Sequence, residues 1–246
     1  MEMSTTYLGL RLPHPFMAGA SPLAATVDGA RRLEEAGSAA IVLPSLFEEG
    51  MIGGQIAVRS FYSDHEESSI PAATALGLSP RNYLAHLARV KKAVGIPVIA
   101  SMNGTVPGSW TKYATLLEEQ GADAVELNLY TFSTEPWETS ETAERRLIEL
   151  VRVLKASIGI PLAVKLSPFY TSLPHFVREL DHAGAGAVLL FNRFTPADID
   201  LERLELVRTM ELSTSSELLL RLRSLAVLYG KITSPLGITG GDVIFP

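Results

Sequence analysis

Lys165 closes the apolar run Pro161-Leu162-Ala163-Val164. An ammonium in that position must either snorkel to solvent or meet an anionic or carbonyl partner. Other short apolar runs close in the same way on hydrogen-bonding residues: Ala20-Ser21, Ser45, Asn103, Asn128, Asn192 and Thr239-Gly240-Gly241. One such residue is commonly a turn or a cap. Seven in phase are not explained by turns, because the short glycine turns lie at the opposite end of each repeating unit. One carboxylate accompanies the set: Glu126, two positions before Asn128 and therefore on the same strand face. Two readings follow for Lys165. Either it pairs internally with Glu126, or it serves an anionic ligand.

Other chemistries lack their residues. Cysteine is absent, which removes disulfides, thiolate metal sites and a cysteine nucleophile. His14, His65, His86, His175 and His182 are scattered without HxH or HExxH spacing, so no metal site is expected. His86 and His182 are expected on helix exteriors. No serine sits in a GxSxG elbow. Lys165 as a Schiff-base nucleophile in an aldolase-like barrel is a second enzymatic reading, but the asparagines around it offer no acid–base partner. A barrel that folds without turnover is a third.

The net charge of -6, from 21 basic and 27 acidic residues without a basic run, argues against a nucleic-acid partner. No apolar stretch approaches the roughly 20 residues that cross a bilayer. The opening MEMSTTYLGL lacks the plan of a signal peptide. A cytoplasmic protein acting on a small molecule is expected, with homo-oligomerisation possible.

The elements that must position these residues repeat along the chain: an amphipathic helix, a glycine, then a short apolar strand. Helices end at Gly37, Gly95, Gly121, Gly159, Gly184 and Gly230, each shortly before such a strand. Ser79-Pro80 and Thr214-x-x-Glu217 read as helix starts. With the opening run Pro15-Phe16-Met17-Ala18, seven strands are expected. Continuous apolar strands alternating with helices imply a parallel sheet with right-handed crossovers. A doubly wound sheet would carry a GxGxxG turn after its first strand, and none is present. The expected fold is therefore α/β, a TIM-type (β/α) barrel lacking the eighth βα unit, in one domain over residues 1–246. Long connections at about 47–78 and 194–213 follow strand ends, where barrel enzymes build their mouths.

The segments YLGLRLPHPFMAGASPL, PVIASMNG, GADAVELNLY, IPLAVKLSP, VLLFNRF and ITGG together resemble the dihydroorotate dehydrogenase family, in particular its dihydroorotate dehydrogenase-like branch. The resemblance implies FMN across the barrel mouth and hydride transfer between flavin and a small carbonyl-bearing substrate. It assigns Gly19, Ala20, Ser21, Ser45, Asn103, Asn128, Lys165, Gly240 and Gly241 to the cofactor, and Asn128 and Asn192 to the substrate. Lys165 would lie beside the N1/C2 edge of the ring, and Thr131 takes the position of the family's catalytic base.

Departures from the family pattern concern the substrate more than the flavin. The family's lysine after the second strand is Pro44 here, although Ser45 is kept. The motif Asn-x-Ser-Cys-Pro-Asn becomes Asn128-Leu129-Tyr130-Thr131-Phe132-Ser133.

Overall fold

The computed structural model describes residues 2–47, 80–104, 109–130, 133, 135–192, 198–207 and 214–240. An N-terminal antiparallel hairpin, β1 (Thr5–Tyr7) and β2 (Leu10–Leu12), turns through Leu8 and Gly9. It precedes α1 (Val27–Glu35), whose N-cap Thr26 accepts a hydrogen bond from Gly29 N. There follow β3 (Ile41–Val42), β4 (Leu46–Phe47), α2 (Pro80–Ala93), β5 (Val98–Asn103), α3 (Ser109–Glu119), β6 (Ala124–Leu129) and α4 (Ser140–Ser157). The chain continues with β7 (Leu162–Leu166), α5 (Leu173–His182), β8 (Ala187–Leu190), β9 (Asp198–Asp200), β10 (Glu205–Val207), α6 (Leu218–Leu228) and β11 (Leu236–Ile238).

Gly37, Gly121, Gly184 and Gly230 adopt positive φ. They end α1, α3, α5 and α6 in the left-handed conformation that glycine allows without a Cβ clash. The Thr214–Glu217 capping box is present; it caps a short 3-10 turn, Ser215–Glu217, that runs directly into α6. Ser79 and most of the first long connection lie outside the described residues.

The parallel sheet runs β11-β8-β7-β6-β5-β3, with β4 continuing along β5 beyond β3. Each βα unit lies beside the one before it in sequence. The strand order never reverses, so no switch point of a doubly wound sheet exists among the described strands. The architecture is α/β and consistent with a TIM-type barrel. The expected opening strand contracts to a single parallel bridge, Ala18 with Ile41. Its backbone still follows β3, since Ala39 N donates to Phe16 O, Ala18 N to Ala40 O and Val42 N to Ala18 O. The second long connection is not structureless either, because β9 and β10 form an antiparallel hairpin within it.

Strand parity divides the interior into two cores. The outward side chains Val98, Ala100, Val125, Leu127, Leu162, Val164, Val188 and Leu190 pack under the helices. The inward ones, Ile99, Ala124, Ala163, Ala187 and Leu189, meet Tyr7, Leu8 and Leu12 of the N-terminal hairpin. Helices therefore cover one face of the sheet and not both. The strands still read as continuous apolar runs because small inward residues leave room for the hairpin to fill the interior.

Candidate functional site

Register places the polar strand ends side by side. Asn103 pairs with Asn128, Asn128 with Lys165, and Lys165 with Leu189. One layer deeper, Ser101 pairs with Glu126 and Glu126 with Ala163. In-register residues of parallel strands share a facing. Asn103, Asn128 and Lys165 thus form one inward row at the C-terminal mouth, with Ser101 and Glu126 beneath.

The row is tied together from one side. Ser45 Oγ and Ser101 Oγ share a hydrogen bond of 2.8 Å, and Asn128 Nδ2 donates to Ser45 Oγ at 2.9 Å and to Ser101 Oγ at 3.2 Å. Pro44-Ser45 interrupts the strand between β3 and β4, which leaves the backbone of Ser101 without a strand partner on that side. Tyr83 of α2 supplies it. Its hydroxyl accepts from Ser101 N at 2.8 Å and donates to Ser101 O at 3.1 Å. Burial pushes the Tyr83 phenol well above its ordinary range.

Asn103 Oδ1, Asn128 Oδ1 and Glu126 Oε1 are buried without a hydrogen-bond partner. Lys165 Nζ stands 3.7 Å from Glu126 Oε1, with the lysine side chain 10% exposed and the glutamate 3%. Of the two readings of Lys165, the internal pair is therefore present, but its separation is too long for a hydrogen bond. Burial pushes the Glu126 carboxyl above the usual carboxylate range, opposed in part by Lys165 and Ser101. Tyr7 reaches the same region from the hairpin, its phenol raised by burial and by the charge of Glu126. A mouth with surplus acceptors and, among the described residues, the cation Lys165 suits a ligand that brings an N–H donor and negative charge for Lys165 to stabilise.

The remaining expected residues lie around this row. Gly19 is exposed with open space beside it, Ala20 packs at the margin of the inner core, and Ser21 leads into a 3-10 turn at Pro22–Ala24. Asn192 follows β8, its N–H donating to Leu166 O at 2.6 Å. Gly240 follows β11 at φ +75, where a Cβ would come within 2.8 Å of the Arg221 guanidinium. That buried guanidinium donates to Thr239 O and to Glu217, anchoring the turn at Gly240. Thr131 and Gly241 lie outside the described residues. Ser133 is engaged elsewhere, donating to Glu138 Oε2 at 2.5 Å, and Glu138 also pairs with Arg146.

His86 corrects its expected exterior position. It is buried with Nε2 3.0 Å from Ala24 O, and burial pushes its pKa down. The reason is that α1 and the turn at Pro22–Ala24 cover that face of α2. His182 is exposed as expected. Ser101, Tyr83, Tyr7 and Arg221 were not singled out from sequence. Ser101 could have been, from its parity with Asn103; the other three come from helices or the hairpin and carry no local signal. Among the described residues no His, Cys, Asp and Glu group could hold a metal ion, and no helix is long and apolar enough to cross a membrane.

No family model matches the chain. It is 27% identical over 201 residues to the dihydroorotate dehydrogenase B (NAD(+)) catalytic subunit of Thermoplasma acidophilum, covering 81% of this chain and 65% of the relative. The corresponding subunit of Methanocella arvoryzae is 26% identical over 208 residues, covering 82% of this chain and 65% of the relative. The matched chain thus spans just under two thirds of the length of these curated relatives. A proposed phosphonomutase of Burkholderia cenocepacia superposes with a TM-score of 0.47 at 16% identity, over 73% of this chain and 70% of its own, too loosely to support an argument.

Proposed function

From a sequence relationship to the dihydroorotate dehydrogenases, we propose that this chain binds FMN at the C-terminal mouth and serves a flavin-dependent oxidoreductase acting on a small carbonyl-bearing substrate. The observation that carries the reading is the inward row Asn103–Asn128–Lys165, in which two buried amide oxygens lack donors beside a lysine. A flavin ring fits such a row, having an N–H donor flanked by carbonyl acceptors. FMN supplies the hydride acceptor when bound.

The chain's own residues do the rest. One of Asn103 and Asn128 accepts from the ring N–H and the two together fix its orientation, while the Ser45–Ser101 pair holds the Asn128 amide in one rotamer. Lys165, largely buried, provides fixed positive charge where negative charge develops. The turns at Gly19–Ser21 and Gly240 offer backbone N–H groups to ring and phosphate; the resemblance also assigns Gly241, outside the described residues, to the phosphate. Asn192, just past β8, is the residue that the resemblance assigns to the substrate. Thr131 remains the proposed proton-transfer residue by position.

Purified protein, or protein reconstituted with FMN, should show flavin absorbance that is released on denaturation. Colourless protein that fails to take up FMN refutes the reading. Dihydroorotate itself is expected to be a poor substrate, because Pro44, Thr131 and Ser133 replace a lysine, the base and an amide. Rapid turnover of dihydroorotate would overturn that part alone.

A further inference from the structure

Glu126 has no part in the proposed cofactor site, yet it occupies the layer directly beneath it. Its carboxyl is buried, its Oε1 has no hydrogen-bond partner, and its one cationic neighbour among the described residues is Lys165 at 3.7 Å. The nearest row above adds two further acceptors without donors, Asn103 Oδ1 and Asn128 Oδ1. A buried carboxylate is ordinarily held by several hydrogen bonds or a close ion pair. Glu126 has only the long 3.7 Å pair with Lys165 and the neighbouring Ser101 hydroxyl, and its Oε1 accepts no hydrogen bond.

We infer that Glu126 is the proton-accepting partner of Lys165, binding one proton when negative charge arrives beside the lysine and releasing it when that charge leaves. The inference rests on the FMN reading. With the mouth uncharged by its ligand, Lys165 and ionised Glu126 balance one another. A second anion at Lys165 would leave two negative charges sharing one ammonium in a poorly hydrated site, and like charges a few ångströms apart do not both stay ionised there. Protonation of Glu126 relieves the repulsion and turns the carboxyl into a donor, in a region that has acceptors to spare.

The step balances. A substrate C–H bond would break and its hydride pass to the bound flavin, adding one negative charge beside Lys165, while the second proton of the oxidised substrate would leave to solvent. One proton enters from solvent through the mouth and bonds to the Glu126 carboxylate, so the net charge of the site is unchanged. The other groups facing Glu126 do not compete for that proton. Ser101 of β5 does not titrate, and the phenols of Tyr7 from the hairpin and Tyr83 from α2 stay protonated near neutrality because burial raises both.

The experiment is a redox titration of FMN-reconstituted protein between about pH 6 and 8, followed by flavin absorbance, for wild type and Glu126→Gln. Each proton taken up with two electrons changes the equilibrium tenfold per pH unit, or about 30 mV. Wild type is expected to fall by about 60 mV per pH unit and Glu126→Gln by about 30 mV. Equal slopes in the two proteins overturn the inference while leaving FMN binding intact. Protein that takes up no FMN refutes the cofactor reading, and the inference with it. Should Glu126→Gln fail to fold, the reduced-minus-oxidised infrared difference spectrum of wild type decides. A new protonated-carboxyl C=O band supports the assignment, and its absence overturns it.

Discussion

Replacing Tyr83 by phenylalanine removes a single oxygen from the core and should cost far more than one hydroxyl ordinarily does. The Tyr83 hydroxyl is the partner of both Ser101 N–H and Ser101 C=O, at 2.8 and 3.1 Å. No strand can take its place, because β3 ends at Val42 and β4 begins only at Leu46. Ser101 is fully buried. Each buried backbone group left unpaired costs about 1–3 kcal/mol. Phenylalanine keeps the ring volume, so a cavity contribution is small. With some relaxation, the expected loss is about 2–4 kcal/mol. It is read as a lower midpoint of urea unfolding at an unchanged m-value. FMN affinity should fall as well, since Ser101 Oγ and Ser45 Oγ together hold the Asn128 amide. A Tyr83→Phe protein within about 0.5 kcal/mol of wild type would refute the claim that this hydroxyl repairs the strand break.

Three further outcomes follow from the same geometry. Lys165→Ala should slow flavin reduction by about 10²–10³-fold while FMN affinity changes much less, because a fixed charge helps most when the ring becomes anionic; equal reductive half-reaction rates would remove Lys165 from that role. Gly240→Ala should destabilise the protein by about 1–2 kcal/mol through the left-handed backbone alone, and its Cβ would also displace the Arg221 guanidinium. Thermal unfolding and FMN titration check both effects, and a silent substitution counts against the anchoring of this turn. Asp181 accepts hydrogen bonds from the backbone and side chains of Thr233 and Ser234, clamping the start of β11 to the end of α5. Burial pushes its carboxyl up, but the bonds from Ser234 and Thr233 outweigh this and leave it below the ordinary value of 3.8. A depressed carboxyl stabilises above its unfolded pKa and loses that contribution as pH falls through the folded value. Asp181→Asn should therefore cost about 1 kcal/mol at neutral pH, discounted for partial exposure. The gap should close below about pH 4; a gap independent of pH would show that the charge is not involved.

The repeating helix–glycine–strand pattern was legible because each part has a local cause. A left-handed glycine ends a helix at Gly37, Gly121, Gly184 or Gly230 whatever surrounds it, and an apolar pentad is buried wherever it lies. The polar strand ends were legible for a similar reason. Ser45, Asn103, Asn128 and Lys165 each interrupt apolar sequence, and strand alternation alone gives Glu126 and Asn128 a common facing. What alternation cannot supply is the contact between strands. Whether Lys165 meets Glu126 at all depends on the register of β6 against β7, which brings Nζ and Oε1 to 3.7 Å.

Tertiary structure alone decided the rest. The N-terminal hairpin is too short to show a period, and only the alanine-lined interior explains why Tyr7 and Leu12 are buried. The expected Pro15–Ala18 strand is reduced to one bridge, although its backbone still bonds to Ala39, Ala40 and Val42. His86 turned inward because the turn at Pro22–Ala24 covers its face of α2. Tyr83 and Ser101 are 18 positions apart, and their partnership exists because a proline breaks a strand that neither belongs to. Local sequence fixes what the chain can do with its own backbone over a few residues. Which buried polar groups find partners, and which are left waiting for a ligand, depends on distant segments meeting in three dimensions.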